Sequence, residues 1–345
     1  MGFSGVIRSG PIDIHSHFVP YGWPELGEAT GAPGVWPWLR LDSERDAMMM
    51  LGDSEFRRIT DSSWNADTRL ADMESDGIAV QVISPTPVFF EYQRPADQGL
   101  IVSRIFNDLA LDLCAQAPDQ FVPFCQVPLQ NPELACQELD RSIANGHVGV
   151  EIGNHVGDLD LDAGGIVEFL QHCANSNVPV FVHPWDMVNS PRLDRWMAQW
   201  LVGMPQETHL SITAMILGGA FDALPRSLRI CFAHGGGSFS FALGRMDNAW
   251  KHRYDLIGKS EFPPSHYTDR FSVDTVVFDH TTLRFLVDTM GSDQVMVGSD
   301  YPYPIGERPA GAVVRTNPLL SDDERSRIMT TNALRFLGNE REDAA

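Results

Sequence analysis

Eight short runs of Val, Ile and aromatic residues recur along this chain, and no other feature limits its fold so strongly. They read "IDIH" (12–15), "VQVISP" (80–85), "FVPFCQVP" (121–128), "VGVEIG" (148–153), "PVFVHP" (179–184), "RICFAH" (229–234), "SVDTVV" (272–277) and "VMVGSD" (295–300). Between them lie segments such as "TRLADMESDG", "VSRIFNDLALDLCAQ", "PELACQELDRSIANG" and "GIVEFLQHCANSN". Their apolar residues return at helical spacing, and many end in Gly or Asn, a common helix stop. Apolar strands that alternate with helices predict a parallel sheet covered by helices. Eight such units predict a closed α/β architecture, the (β/α)8 TIM barrel. An open doubly wound sheet is the competing arrangement, and it is disfavoured because no G-x-G-x-x-G follows the first strand.

Two stretches exceed the simple alternation. Residues 20–65 read as an insertion after strand one, rich in Gly, Pro and Trp. Residues 186–225 are also long, and "LDRWMAQWLVGM" within them reads as an amphipathic helix. Loops that follow barrel strands build the active-site face, so both stretches are expected to wall a site. No second domain, internal repeat or low-complexity segment is visible, and residues 1–345 read as one barrel domain with a frayed tail at about 338–345.

Charge and cysteine usage narrow the partners. Asp and Glu number 46 against 25 Lys and Arg, a net charge of −21. Such a surface repels nucleic acid and anionic membrane, so neither is expected as a partner. Cys114, Cys125, Cys136, Cys173 and Cys231 are scattered without a C-x-x-C pair. The opening "MGFSGVIRSGP" lacks a signal peptide's apolar core, and Val6 stands where a myristoylation signal needs Ser or Thr. No run is long enough to cross a bilayer. A cytoplasmic chain with reduced thiols is expected.

Polar residues stand where the apolar runs stop. Strand one leads into His15 and His17, strand five ends at His183 in "FVHPWD", strand six at His234 in "FAHGGG" and strand eight at Asp300 in "GSDYPYP". Alternate residues of an extended chain share a face, so His15 and His17 point to one place. Taken alone, that pair is equally a polar cap or two core histidines. Five polar residues converging on one barrel mouth predict a site instead. The first pair, a third His and a carboxylate suit a borderline metal such as zinc, with one position left for water. Metal binding lowers that water's pKa towards about 7. "HGGGSF" lacks the Lys of a phosphate-binding loop, and its glycines predict a close pass of the chain by the site.

H-x-H, His, His and Asp distributed over eight strands resemble the amidohydrolase superfamily. From about residue 11 to 337 the chain is similar, within it, to the α-amino-β-carboxymuconate-ε-semialdehyde decarboxylases. The stretches that carry the resemblance are "IDIHSHFVP", "FCQVPLQNPELAC", "GNHVGDLDLD", "HCANSNVPVFVHPWDM", "RICFAHGGGSFSFALGRMDNAW" and "MVGSDYPYPIGE". The resemblance implies that His15, His17, His183 and Asp300 hold one zinc ion per chain. It implies that His234 is not a ligand but the base that takes a proton from the water at the metal, and that Asp300 also shuttles a proton. Arg57 in "EFRRIT" is implied to bind a substrate carboxylate. Arg245 in "ALGRMD" is implied to do the same from the neighbouring subunit of a homodimer.

Two guanidiniums suit a substrate with more than one carboxylate. Without the resemblance both arginines read as surface charges, and Arg58 beside Arg57 shows how little the sequence separates them. Arg245 follows His234 by 11 residues. On a helix that carries it about 15 Å away, which suits a neighbour's site across a two-fold axis. The chain's two lysines, Lys251 and Lys259, lie outside strand four. That excludes the carboxylated Lys that bridges two metals in many members of the superfamily. Strand four carries Glu151 where this decarboxylase family is expected to have Gln, and it reads as a partner of an Arg or a ligand His before a metal contact.

The activity implied is zinc-dependent, non-oxidative decarboxylation of 2-amino-3-carboxymuconate 6-semialdehyde to 2-aminomuconate 6-semialdehyde and carbon dioxide. No oxygen, flavin or pyridoxal is expected. The pathway implied is tryptophan catabolism through kynurenine, or degradation of 2-nitrobenzoate-like aromatics. The alternatives are a related decarboxylase of an aromatic hydroxy-acid and a metal-dependent hydrolase of a lactone or amide.

Overall fold

In the computed structural model, which describes residues 7–339, the eight apolar runs form eight parallel strands. The readings of residues 1–6 and of the tail beyond Asn339 lie outside the described residues. The strands are β1 (Ile12–Asp13), β2 (Val80–Pro85), β3 (Phe121–Cys125), β4 (Gly149–Gly153), β5 (Val180–His183), β6 (Ile230–Phe232), β7 (Ser272–Asp274) and β8 (Val295–Met296). Each pairs with the next in chain order, from Ile12 opposite Val80 round to Asp274 opposite Met296. The ring closes just beyond β1 and β8. There Ile14 N–H donates to Val297 O at 2.9 Å, Asp300 N–H to His15 O at 3.0 Å and His17 N–H to Tyr301 O at 2.7 Å. The protein is therefore a (β/α)8 barrel, as the alternation predicts.

The outer layer is α1 (Ala66–Asp76), α2 (Ala96–Cys114), α3 (Pro132–Asn145), α4 (Gly164–Asn175), α5 (Met204–Leu217), α6 (Phe239–His252), α7 (His280–Met290) and α8 (Asn332–Leu337). Local chemistry sets several of their ends. The Asn65 and Asn131 side chains accept from the Thr68 and Leu134 N–H groups at 3.0 and 3.1 Å, and α1 and α3 stop at Gly77 and Gly146 in left-handed conformation. Along β5 and β6, Val180, Val182, Ile230 and Phe232 join the large core under the helices. Phe181 and Cys231, one residue out of step, join a separate cluster with Val122, Phe124 and Met296 inside the barrel. Glu151 sits opposite Phe181 in the β4–β5 register, so it too faces inward.

The insertion at 20–65 contains a short helix (Leu26–Thr30) and an antiparallel meander of Pro37–Leu41, Asp46–Leu51 and Ser54–Thr60. Trp36, Met49 and Ile59 pack with Val88, Phe89 and Phe106, which docks the meander beside the barrel mouth. Met49 pairs with Arg57 but Met50 pairs with Glu55, leaving Phe56 as a β-bulge. Bulges re-aim the side chains beside them, and here the re-aimed residue is Arg57.

The amphipathic helix expected over 193–204 is a correction. Pro191–Leu193 forms a single 3-10 turn, and Trp196 and Met197 take left-handed φ values of 59° and 55°. Wide helical turns resume at Gln199–Gly203 and run into α5. The bend turns Met197, Trp200 and Met204 towards a cavity at the barrel mouth, so their spacing does not mark one continuous packing face. Among the described residues no helix is long and apolar enough to cross a membrane.

Candidate active site

β5 delivers His183 as its last residue, and the chain leaving β1, β6 and β8 delivers His15 with His17, His234 and Asp300. His234 and Asp300 sit at φ 55° and 59°. A side chain in that region costs about 1–3 kcal/mol and persists only where the surroundings hold it. Around His234 they do: Asp274 accepts from the backbone N–H groups of His234 and Gly235 at 2.9 and 2.8 Å. Two glycines make the approach possible. A Cβ on Gly237 would run into the Pro205 carbonyl, and one on Gly298 would meet the Cβ atoms of His15 and Asp274 at 2.8 Å.

The structure brings all five strand-end residues together. His15 Nε2 lies 3.1 Å from His17 Nε2, and Asp300 Oδ1 lies 3.5 and 3.4 Å from those two nitrogens. Donor atoms about 2.0–2.1 Å from a tetrahedral zinc stand about 3.3 Å apart, so this triangle has the size of one face of such a site. The His183 ring is 5.1 and 4.8 Å from the His15 and His17 rings, centroid to centroid. His234 faces the other oxygen of Asp300, with Nε2 3.8 Å from Oδ2. Donor atoms of His15, His183, His234 and Asp300 lie within 4.8 Å of one another, as do those of His17, Glu151 and His183.

Burial sorts the charges of this cluster. It works against a charge on His15, but the hydrogen bond to Asp274 and the field of Asp300 win and raise that imidazole to about 9. Burial pushes His17 down to about 4 and holds His183 well below the usual range, with the neighbouring imidazoles adding to the effect. Burial also opposes the charge of Asp300, yet the His17 and His234 imidazoles keep it well below the usual carboxylate range. Glu151 is pushed up to about 8 by burial.

The residues fit a cation. His183 Nε2 and Asp300 Oδ1 are buried without a hydrogen-bond partner. Orphaned polar atoms of this kind are rare in a folded interior, and here they point at the centre of a three-imidazole, one-carboxylate set. A bare nitrogen and a carboxylate oxygen are what a divalent ion of the zinc type takes.

Beside the cluster lies a cavity of about 270 Å³. His183 and Asp300 are on its floor, and Phe56, Trp185, Trp200 and Tyr303 are among its walls. Arg57 and Arg58 both line it, but their surroundings differ. Arg58 is 3.6 Å from Asp42 and mostly exposed. The Arg57 guanidinium lies 4.3 Å over the Tyr303 ring and 5.2 Å from Phe56, with no carboxylate partner among the described residues.

A family model described as amidohydrolase matches residues 12–338. The chain belongs to the amidohydrolase family. It is 37% identical over 96% of its length, and 92% of the relative's, to the 2-amino-3-carboxymuconate-6-semialdehyde decarboxylase of Dictyostelium discoideum. To the protein of that name from Caenorhabditis elegans it is 32% identical, over 97% of this chain and 96% of the other. Its fold matches a crystal structure of dihydroxybenzoic acid decarboxylase from Polaromonas sp. JS666, with bound manganese and the inhibitor 2-nitroresorcinol. That match has a TM-score of 0.76 and 22% identity, over 98% of this chain and 99% of the other. This amidohydrolase is a metal-dependent decarboxylase.

Sequence reasoning missed the residues that hold its site in place. Asp274, the last residue of β7, accepts from His15 Nδ1 at 2.7 Å as well as from the His234 loop. Its only signal is an acid in the apolar run "SVDTVV". Asp13 accepts from His15 N–H at 3.1 Å and from Ser299 N–H at 3.0 Å, and it also accepts from Gln81 Nε2 at 3.2 Å. Gln81 in turn accepts from the buried Arg69 at 2.7 Å, and Arg69 also donates to the His17 carbonyl. Arg245 is the one expected site residue that the structure brings neither to the cluster nor to the cavity beside it. It is exposed on α6, outside the cavity, and Asp247 is engaged with the Ser265 N–H at 2.9 Å.

Proposed function

We propose that the enzyme decarboxylates 2-amino-3-carboxymuconate 6-semialdehyde, with zinc, to 2-aminomuconate 6-semialdehyde and carbon dioxide. The observation that carries this reading is Arg57, a half-buried guanidinium with no carboxylate partner among the described residues, lining a cavity whose floor includes His183 and Asp300 of the cluster. A bidentate guanidinium on one side and a cation site on the other suit a substrate with two carboxylates. The two relatives similar over nearly the whole chain carry the name of this reaction. His15, His17, His183 and Asp300 would hold the ion. When bound, zinc supplies a Lewis acid and brings the pKa of a water in the site to about 7.

The protein's own residues do the rest. Arg57 fixes one carboxylate, and positioning of this kind supplies a large share of rate. His234, beside Asp300 Oδ2, takes up and returns the proton. Proton delivery to the conjugated system lets the carbon–carboxylate bond break, its electron pair passing into the substrate and carbon dioxide leaving. No oxidant is needed. Cysteines that are all free suit a reducing compartment, so we place the enzyme in the cytoplasm.

The test is carbon dioxide release from the semialdehyde prepared fresh from 3-hydroxyanthranilate, with metal content measured on the same sample. One carbon dioxide per semialdehyde consumed, at about one zinc per chain, is expected. Release from a dihydroxybenzoate alone would overturn the substrate in favour of the aromatic hydroxy-acid class. The manganese-holding Polaromonas structure and the aromatic walls of the cavity make that class the second reading.

Arg245 belongs to the same proposal. Arg245 is exposed and outside its own cavity, and in this reading it serves a neighbour's site in a homodimer. Arg245→Ala and His234→Ala chains, each nearly inactive, are mixed and allowed to exchange. Half of the dimers are then mixed, each with one site carrying both defects and one carrying neither, so activity should recover to about a quarter of the parent's. No recovery, with exchange confirmed by mass, means that Arg245 does not act across an interface.

A further inference from the structure

A histidine that binds a metal through one ring nitrogen must carry its proton on the other. His15 and His183 meet that demand in the structure. His15 Nδ1 is 2.7 Å from Asp274 Oδ2, and His183 Nδ1 is 2.9 Å from Pro184 O. In both rings Nε2 is thereby left to face the cluster. His17 turns its Nε2 to the same point, 3.1 Å from His15 Nε2 and 3.4 Å from Asp300 Oδ1. Its Nδ1 is sealed from water and has no hydrogen-bond partner.

Opposite that nitrogen, 3.8 Å away, is Glu151 Oε1. Glu151 is fully buried in the barrel, and neither of its oxygens makes a hydrogen bond. The Ser84 hydroxyl is close enough to favour the charged carboxylate but is not in hydrogen-bond geometry with it. Two orphans thus face each other: a nitrogen that needs an acceptor once Nε2 is taken, and an acid that needs a donor. Leaving either unpaired in the interior is unfavourable.

We propose that Glu151 is the positioning residue of His17, its carboxylate accepting the Nδ1–H hydrogen bond when Nε2 holds the metal. The proposal rests on the reading of His17 as a ligand. All three histidine ligands then follow one rule, each Nδ1 anchored to an oxygen of a different element: Asp274 on β7, the Pro184 carbonyl after β5 and Glu151 on β4. A carboxylate behind an imidazole fixes its tautomer and makes it a stronger donor. Glu151 does not create a separate second metal position with His17 and His183. His183 has one bare nitrogen, because Nδ1 is engaged with Pro184, and one nitrogen serves one ion.

The test compares Glu151→Gln with Glu151→Met, reading zinc affinity by competition with a chromophoric chelator and the visible absorption of the cobalt-substituted protein. Loss of an orienting partner of this kind typically costs about 10–100-fold in metal affinity, and that loss is expected for Glu151→Met. Glu151→Gln keeps an amide oxygen that accepts the same hydrogen bond, so it should recover most of the affinity and leave the cobalt absorption unchanged in shape. Equal weakening by both substitutions, or a Met variant as tight as the parent, would overturn the proposal. Should the Met variant fail to fold, the Gln variant decides alone. Affinity within about tenfold of the parent supports positioning, and a loss beyond about a hundredfold with an altered cobalt spectrum makes Glu151 a ligand. A parent that binds no divalent metal would instead sink the reading of the cluster itself, which separates that failure from this one.

Discussion

Replacing His183 by Ala should remove the metal and the activity together. His183 ends β5 with its ring buried among three other imidazoles, Nδ1 engaged by Pro184 O and Nε2 left without a partner. That bare nitrogen, like Asp300 Oδ1, is a donor atom of the cluster with no hydrogen-bond partner. Burial also holds it neutral, so protons compete weakly for it. Its loss opens one corner of the donor set, which the remaining His15, His17 and Asp300 cannot close. Metal content should fall from about one per chain to near none, with decarboxylation lost in the same sample. The fold should survive. Truncating one buried side chain costs about 1–3 kcal/mol, and here the polar group that loses its partner is the Pro184 carbonyl. Metal analysis and circular dichroism on one preparation check this. A variant that keeps full metal would remove His183 from the ligand set.

Much of this protein is legible in its sequence because the barrel repeats one physical demand eight times. Each strand is covered on both faces, so each reads as an apolar run, and a polar residue at the end of such a run stands out. His15, His17, His183, His234 and Asp300 were visible for that reason, and the structure places them in one cluster. Asp274 was hidden because it looks the same in sequence as any acid within a strand, and only the fold brings it to His15 Nδ1. The chain Asp13–Gln81–Arg69 was hidden for a related cause: its members come from β1, β2 and α1, and no local spacing joins them. Arg57 and Arg58 could not be told apart because the difference is made by the bulge at Phe56 and by Tyr303, more than 200 residues further on. The helix expected at 193–204 failed for the opposite reason. Its apolar spacing was real, but Met197, Trp200 and Met204 answer to the cavity rather than to one helix face.

His234→Ala should keep the metal and lose most of the activity, by about 10²–10⁴-fold, the usual loss on removing a general base. Proximity alone does not make His234 a base, since its ring is 5.1 Å from that of His183 and 5.2 Å from that of His15. Two features set it apart from the other three histidines. It faces Asp300 Oδ2, at 3.8 Å, while His15 and His17 share Oδ1. Its side chain is also the most open of the four, at 11% exposed against 0% and 1% for His15 and His17. A partly exposed ring 3.8 Å from Asp300 Oδ2, an oxygen that His15 and His17 do not share, is placed to exchange protons with a bound molecule. The left-handed backbone at φ 55° complicates the Ala variant, because a non-glycine residue there is strained. His234→Asn is the better-folded control, since Asn tolerates that conformation and cannot act as a base at neutral pH. Both variants should bind zinc with the parent's stoichiometry and release carbon dioxide at the same low rate. If both lose the metal, His234 is a ligand, the set becomes His15, His183, His234 and Asp300, and the proton must be moved by another group.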